Sequence, residues 1–331
     1  MESSRCPVHP DAALRPVVRD AADRFWGQPG EFDYGACAVC GTWVLDPRPE
    51  PAALGAFYGG YYSDDEVALA RRAYGAAPAD AAIGVDKLRA QAVIASLGRL
   101  GARLGGETRL LDVGCGLGGF ARAMRALAGV RAEGLDFDPR CAPLAAELHG
   151  LSVATGELRA QRYPDGAFDV VTSWHCLEHT YDPGAELREM ARIVAPGGWL
   201  VVEVPTPGLM ARLFRGRWFF LQAPTHLYHL TQPALGALFA EAGLVVERME
   251  RPWVPTELAG SLVMALGLHG FAPRLLFGVR GLAARLWRLL FFALMPLDLL
   301  VTGVQTLLGG GGVLRVHARR RADGERGEGE R

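Results

Sequence analysis

From Arg109 onward, short apolar runs alternate with stretches of helical spacing. The runs are Leu110, Leu111 and Val113; Ala132–Leu135; Leu151–Ala154; Phe168–Thr172; Trp199–Val204; and Leu244–Met249. Runs this short, bounded by turn residues, predict buried strands. Between them the spacing predicts helices: one beginning near Phe120, one from about Ala185 to Ala195-Pro196-Gly197-Gly198, and one from Thr231-Gln232-Pro233 to about Ala242, stopped by Gly243. Thr231 is placed to cap the last of these, and Pro233 suits its first turn. An earlier helix, Asp86–Leu104, carries Leu88, Val93, Ile94, Leu97, Leu100 and Leu104 at helical spacing and is expected to pack beside the first strand. Alternation of this kind predicts an α/β fold with helices on both faces of a mostly parallel sheet.

Two regions break the rhythm. Pro47 to Pro78 is rich in Pro, Gly and Tyr and reads as a linker with short helical turns. Glu257–Leu308 is nearly continuous hydrophobic sequence that precedes one more strand, Gly312–Ala318. Its first part, Leu258–Ala272, is shorter than the ~20 residues a spanning helix takes. The next part carries Arg274, Arg285 and Arg288 on one helical arc, with Arg280 at its edge and Leu, Phe and Trp on the remaining face, an interfacial amphipathic pattern. Leu289–Leu308 is long enough to span, but Pro296 and Asp298 sit in its middle. The strands on both sides are expected in one sheet, so the insertion must leave and return on one side of any membrane, and a single crossing is excluded. A hairpin dipping into a leaflet, helices lying flat on it, and a buried cap or dimer interface remain. Membrane contact is the preferred reading, because this much apolar surface with a basic face is excessive for a lid. Arg319–Arg331 is charged and glycine-containing and reads as a disordered tail.

Between the first apolar run and the Phe120 helix lies R-L-L-D-V-G-C-G-L-G-G-F, with glycines at Gly114, Gly116, Gly118 and Gly119. Glycine there lets the backbone take unusual φ/ψ and lets a ligand approach with no Cβ in the way. A strand, a glycine turn and a helix N-terminus form the nucleotide-binding corner of a doubly wound sheet. The glycines alone do not say which nucleotide; their neighbours do. Asp112 lies inside the motif, where a carboxylate suits a cationic ligand better than a pyrophosphate. Asp136 ends the second strand about twenty residues on, where a ribose-binding carboxylate is expected. Gly156-Glu157-Leu158 follows the third run, and W-H-C-L-E-H (Trp174–His179) follows the fourth.

D-x-G-x-G-x-G at Asp112–Gly118, the strand-end acid Asp136, L-E-H at Leu177–His179 and P-G-G at Pro196–Gly198 occur in order. Through them roughly Lys87–Arg251 resembles the class I S-adenosylmethionine-dependent methyltransferases, and within them the small-molecule group that includes the ubiquinone-pathway enzymes. The resemblance implies a Rossmann-like seven-stranded sheet whose last, antiparallel strand follows by a short hairpin; here that strand arrives only after the apolar insertion. It implies S-adenosyl-L-methionine as cofactor, with Asp112, Gly114, Cys115, Gly116 and Gly118 at its motif. Asp136 would accept both ribose hydroxyls, Phe137 would lie against the adenine, and Ser173 and Trp174 would border the methionine end. Glu157, beside Leu158, matches the position that reads the adenine amino group, where the family usually has aspartate. Cys115 reads as a small filler, not a nucleophile. The implied reaction is O- or C-methylation of a small-molecule or lipid-linked acceptor by in-line displacement. Most of its acceleration comes from orientation and exclusion of water, with effective molarities on the order of 10⁵ M or more. A hydroxyl acceptor needs a base, and the histidines available are His175, His179, His226 and His229. The resemblance marks His179 and His226, with His226 the first choice and His179 equally suited to shaping its loop. Two other readings compete: a non-catalytic module that keeps the cofactor pocket, and an NAD-dependent oxidoreductase.

Composition adds three points. A chain of 331 residues, half of them apolar, has room for one large domain with appendages or for two domains. A formal charge of −1 gives no electrostatic reason to expect a nucleic-acid partner. The first residues, M-E-S-S-R-C, have no apolar h-region, so the catalytic part is expected in the cytoplasm, where cysteines argue for metal before disulfides. Cys6-Pro-Val-His9 and Cys37-Ala-Val-Cys40 form two knuckles, the second followed by Gly41, that could complete a closed Cys3His site for a structural Zn2+. The segment also resembles the N-terminal zinc ribbon of many relatives of this methyltransferase group, in which the second knuckle runs into P-R-P (Pro47–Pro49) and F-Y…Y-Y (Phe57-Tyr58, Tyr61-Tyr62). His9 stands where a cysteine is common. The expected organisation is a zinc-ribbon-like module at 1–47, a linker at 48–85, a methyltransferase domain at 86–318 with the hydrophobic helical insertion at 257–308, and a tail at 319–331. Oligomeric state is not indicated.

Overall fold

The structure is a computed structural model that describes residues 1–60, 64–75, 84–276 and 281–322; Tyr61, Tyr62, Arg280 and the tail from 323 lie outside the described residues. The chain opens with three strands, β1 (Leu14–Ala21), β2 (Phe32–Cys37) and β3 (Trp43–Leu45), then α1 (Pro51–Leu54), α2 (Asp64–Gly75) and α3 (Gly84–Arg99). The body alternates β4 (Arg109–Val113), α4 (Gly119–Ala128), β5 (Arg131–Asp136), α5 (Cys141–His149), β6 (Val153–Thr155), β7 (Phe168–Trp174), α6 (Pro183–Ile193) and β8 (Val194–Pro205). A long connection holding α7 (Leu209–Phe214) and β9 (Tyr228–His229) leads to α8 (Gln232–Glu241) and β10 (Leu244–Glu250). Two helices, α9 (Glu257–Ala265) and α10 (Leu282–Leu307), separate β10 from β11 (Val313–Arg320).

Seven strands form the main sheet in the order β10-β11-β8-β7-β4-β5-β6. The run from β8 to β6 is parallel, and β11 lies antiparallel between β8 and β10. Helices cover both faces, so central residues such as Leu110, Leu111, Val171, Leu200 and Val201 are fully buried, as expected of apolar runs without alternation. Strand order reverses at β4, and the crevice beyond the carboxyl ends of β4, β5 and β7 is the switch point where such sheets bind ligands.

The first three strands belong to a second, antiparallel sheet, β1-β2-β3-β9, whose last member comes from the connection after β8. Trp43 pairs with His229 and Val44 with Tyr228. The amino-terminal segment is thus completed by residues far along the chain. The stretch expected as a linker with short turns contains the 12-residue α2, whose first turn holds Asp64, Asp65 and Glu66 and whose last holds Arg72, charges that favour a helix through its dipole.

Several local expectations are corrected. Thr231 does not cap α8 with its side chain, because its hydroxyl donates to the Cys40 carbonyl at 2.7 Å. The helix expected to reach Leu104 ends at Arg99, and Pro196-Gly197-Gly198 lies within β8. Arg319 and Arg320 are not tail: they pair in β11 with β10, and Arg320 Nη1 donates to the carbonyls of Arg192 and Val194. The basic arc of the insertion is divided, since Arg274 sits in a separate turn, Ala272–Leu276. Pro296 and Asp298, noted in the middle of Leu289–Leu308, both lie inside one helix of 26 residues. Asp298 points inward, where its carboxylate accepts the backbone N–H groups of Thr256 (3.1 Å) and Ala259 (2.5 Å) at the start of α9.

α9 and α10 therefore pack as a hairpin. Val263, Leu268 and Phe271 meet Phe291, and Phe25 from the amino-terminal segment stacks on Phe271. Glu257, buried at the hairpin base, accepts from Trp218 Nε1 (2.8 Å) and Gln305 Nε2 (3.3 Å). Burial pushes its carboxyl up to about 7. A carboxyl whose folded pKa exceeds its unfolded one contributes stability that is complete below the unfolded value and is lost as pH rises through about 7. Glu257→Gln is predicted to flatten the fall in Tm between pH 5 and 8, a contribution of at most about 3 kcal/mol. Scanning fluorimetry that gives the variant and wild type the same slope contradicts this.

Candidate functional site

The crevice begins at the end of β4. Asp112 is buried, accepts the Thr172 hydroxyl at 2.7 Å, and is pushed by burial up to about 7. The turn that follows requires glycine: Gly114, Gly116 and Gly118 have φ of 72°, 54° and 82°. A Cβ on Gly118 would come within 2.5 Å of the Leu151 side chain, and one on Gly114 within 2.8 Å of Cys176 Sγ. The half-buried Cys115 side chain occupies the space that a Cβ on Gly134 would need, which is a filling role; burial raises its thiol pKa. Asp136 closes the turn from β5, accepting Gly116 N–H at 2.8 Å and Asp138 N–H at 3.0 Å. Burial raises this carboxyl too.

Around this corner the other sequence-derived positions separate. Phe137 is exposed, its ring edge-on to Tyr58 at 5.3 Å. Glu157 is exposed and Leu158 buried just past β6, where Gly156 N–H donates to the Asp136 carbonyl. Ser173 is buried, and among the described residues its hydroxyl has no hydrogen-bond partner. Trp174 points into the packed layer, against Phe120 at 4.6 Å and between the guanidinium groups of Arg89 and Arg315. Asp112, the glycines, Asp136 and Ser173 thus meet at three neighbouring strand ends.

A second cluster lies next to it. His175, at φ 50°, has Nε2 3.2 Å from Glu203 and Nδ1 3.6 Å from Glu178. Burial opposes its protonation, but these two carboxylates outweigh that and push it up to about 9. Glu203 is also held by Arg315 (2.6 Å) and Arg89 (3.3 Å). Glu178 is fully buried, and among the described residues no donor comes within hydrogen-bond distance of either of its oxygens. His179 Nδ1 lies 2.8 Å from the Thr225 carbonyl and 3.0 Å from the Tyr58 hydroxyl. His226 Nδ1 lies 2.8 Å from the Phe220 carbonyl, and its Nε2 lies 4.0 Å from Glu178. A carbonyl only accepts, so both rings carry their proton on Nδ1 and keep Nε2 as an acceptor. Burial lowers both pKa values, that of His226 well below its ordinary value. The two rings stand edge to face at 4.7 Å. His229 borders this cluster, its ring edge to face with that of His226 at 5.5 Å, and packs against Tyr34, Trp43 and Trp218 in the small sheet.

Sequence reasoning missed Glu203, Arg315 and Arg89. Its available signal was a single charge inside each of two apolar strands, V-V-E-V and V-L-R-V. At the far end of the small sheet, Cys6, His9, Cys37 and Cys40 each place a ligand atom within 4.8 Å of the other three, with Cys6 and Cys40 sulfurs 3.6 Å apart.

Parallel strands, a glycine turn and a strand-end acid that fixes that turn define a Rossmann-like protein built to hold an adenosine-bearing cofactor. Residues 85–248 match a family model described as a methyltransferase domain. Over 162 residues the chain is 38% identical to a ubiquinone biosynthesis O-methyltransferase from Pseudomonas paraeruginosa, covering 44% of this chain and 68% of that one. It is 36% identical over 100 residues to ajmaline N-methyltransferase from Rauvolfia serpentina, covering 28% of this chain and 34% of that one. A crystal structure from Galdieria sulphuraria, assigned as a sarcosine dimethylglycine methyltransferase, shares the fold with a TM-score of 0.53 at 16% identity, over 78% of this chain and 99% of that one. The chain belongs to the class I S-adenosylmethionine-dependent methyltransferases. It spans about a third of the length of several curated relatives that it matches.

Proposed function

We propose that this protein transfers a methyl group from S-adenosyl-L-methionine to a small-molecule or lipid-linked acceptor, at oxygen or carbon. The observation that carries this is the corner in which Asp136 fixes the Gly114–Gly118 turn beside the buried Asp112. The cofactor supplies an already activated methyl on a sulfonium, so the residues have to bind, orient and exclude water. Asp112, Gly114, Cys115, Gly116, Gly118 and Ser173 are assigned to its methionine side; Trp174, expected there too, packs instead against Phe120, Arg89 and Arg315. Asp136 is assigned to the ribose hydroxyls, and Phe137, Glu157 and Leu158 to the adenine. The unpartnered Ser173 hydroxyl and the space that a Cβ on Gly114 or Gly118 would fill suit a bound ligand. His179 and His226 are assigned to the acceptor side: neutral rings with free Nε2 lone pairs are the form that takes a proton from a hydroxyl.

Release of S-adenosylhomocysteine in the presence of lipophilic phenol, quinol or polyprenyl-linked sugar acceptors tests the reaction. Cofactor binding by calorimetry with no turnover on any acceptor would favour the non-catalytic module, and binding of NAD instead would favour the oxidoreductase. Asp136→Ala is expected to weaken cofactor affinity at least tenfold, the cost of about one charge-assisted hydrogen bond. His226→Ala is expected to lower kcat/KM, and an unchanged pH profile removes its role as base.

The converging Cys6, His9, Cys37 and Cys40 support one structural Zn2+, which would hold the knuckles that Thr231 ties to α8. Purified protein should carry one equivalent of zinc, and its removal should lower Tm; protein that is zinc-free as isolated, with unchanged stability, overturns this.

The apolar insertion supports contact with the inner face of a membrane. α10 has its polarity reversed for a soluble helix: Asp298, Thr302 and Gln305 are buried, while Leu282, Leu286, Leu289, Phe292, Leu300 and Leu307 are exposed. Detergent-free fractionation should leave the protein with membranes at low and high salt. Complete recovery in the soluble fraction at both rejects the contact, and a lipophilic acceptor loses its main support with it.

A further inference from the structure

A cleft of about 580 Å³ lies away from the nucleotide corner, between β1 of the small sheet and the segment from α7 to Arg217. Four arginines line it, Arg19, Arg24, Arg215 and Arg217, against one acid, Asp20. None of the four has an ion-pair partner among the described residues. Arg89 and Arg315, by contrast, approach each other across a carboxylate, that of Glu203. Arg24 is half-buried; its Nη1 reaches the Met264 carbonyl and His269, but its buried Nε has no partner among the described residues. Burial, and then the nearby Arg217, lower its pKa, so positive charge gathers here against the single carboxylate of Asp20. Two non-glycine residues of the lining hold left-handed backbone, Asp20 at φ 52° and Arg215 at φ 47°, conformations that cost energy and cluster at ligand sites. The surroundings are apolar: Leu213 and Phe214 belong to the lining, and α7, with Leu209 and Leu213 exposed, packs against α9 of the hairpin.

We propose that this cleft binds a phosphate or diphosphate group, the head of an amphipathic ligand whose apolar part lies along the α7–α9 surface. Guanidinium groups present paired N–H donors that match phosphate oxygens and stay charged at any physiological pH, and a dianion supplies the counter-charge that the four arginines lack. The site stands apart from the methyl-transfer crevice and does not rest on that reading.

Full-length protein titrated calorimetrically with inorganic pyrophosphate should bind one equivalent, with affinity that falls as NaCl rises and is the same with or without saturating S-adenosylhomocysteine. Arg215→Gln/Arg217→Gln should weaken binding at least tenfold. It should also raise Tm in the absence of ligand, because repulsion is relieved. Flotation with vesicles of phosphatidylcholine alone, or with added phosphatidic acid, separates the sources. Preference for phosphatidic acid that the double variant loses assigns the group to a lipid head; equal flotation of both proteins, with pyrophosphate still discriminated, assigns it to a free phosphorylated compound. The proposal is overturned if wild type shows neither pyrophosphate binding nor a phosphatidic acid preference. It is overturned equally if the double variant matches wild type in both, or if S-adenosylhomocysteine abolishes the pyrophosphate signal.

Discussion

The carboxylate of Asp136 is the fixed point of this site. It ends a parallel strand, where the chain must leave the sheet, and it accepts two backbone N–H groups, one from its own turn and one from the glycine turn after β4. Those hydrogen bonds hold the left-handed glycines in place. Without them the turn would be free to relax, and Asp112 and Ser173 would no longer face one crevice. Burying a carboxylate is costly unless donors surround it, and a strand end beside a glycine turn supplies them cheaply. The same need recurs in β8, three strands from β5 across the sheet. Glu203 is buried in β8 and is tolerated there because Arg315, Arg89 and His175 converge on it. Asp136 and Glu203 together brace both sides of the crevice from beneath.

The small sheet is coupled to the cluster of His179 and His226 and does not hang from the body as a separate bead. Tyr34 donates its hydroxyl to the His226 carbonyl at 2.8 Å, and Tyr58 reaches His179. The knuckle carbonyl of Cys40 receives Thr231, at the head of α8. Loss of order around Cys6, His9, Cys37 and Cys40 would therefore reach the two histidines through a few hydrogen bonds. Coupling of this kind gives the amino-terminal segment a role in holding the crevice, whatever else it contacts.

The insertion shows how polarity can be reversed without breaking the fold. Its polar residues are spent on its own base: Asp298 on the start of α9, Thr302 on Trp253, Gln305 on Glu257 and the Gly310 carbonyl. With these groups turned inward, the outward face is mainly leucine with Phe292, beside the exposed Arg285. β10 and β11 pair directly, so the hairpin can grow between them while the sheet stays intact.

What lies close in sequence was legible from sequence. The glycine turn, the strand-end acid, the alternation of strands and helices and the two cysteine knuckles are set by backbone preference and short spacing, and the structure places them as their patterns imply. Thr231 and Asp298 show where that reasoning ends. A threonine before Gln232-Pro233 signals a cap, and an aspartate amid leucines counts against a spanning helix, but neither pattern shows the distant partner that claims the side chain. Here the claimants are Cys40 and the start of α9, 191 and 39 residues away. Completion of the small sheet by β9, burial of His226 beneath Tyr34, and the gathering of Arg19 and Arg24 with Arg215 and Arg217 were likewise decided only by tertiary structure. Hydrogen bonds and charges act through space, and a linear pattern carries no record of which distant segments the fold will bring within their reach.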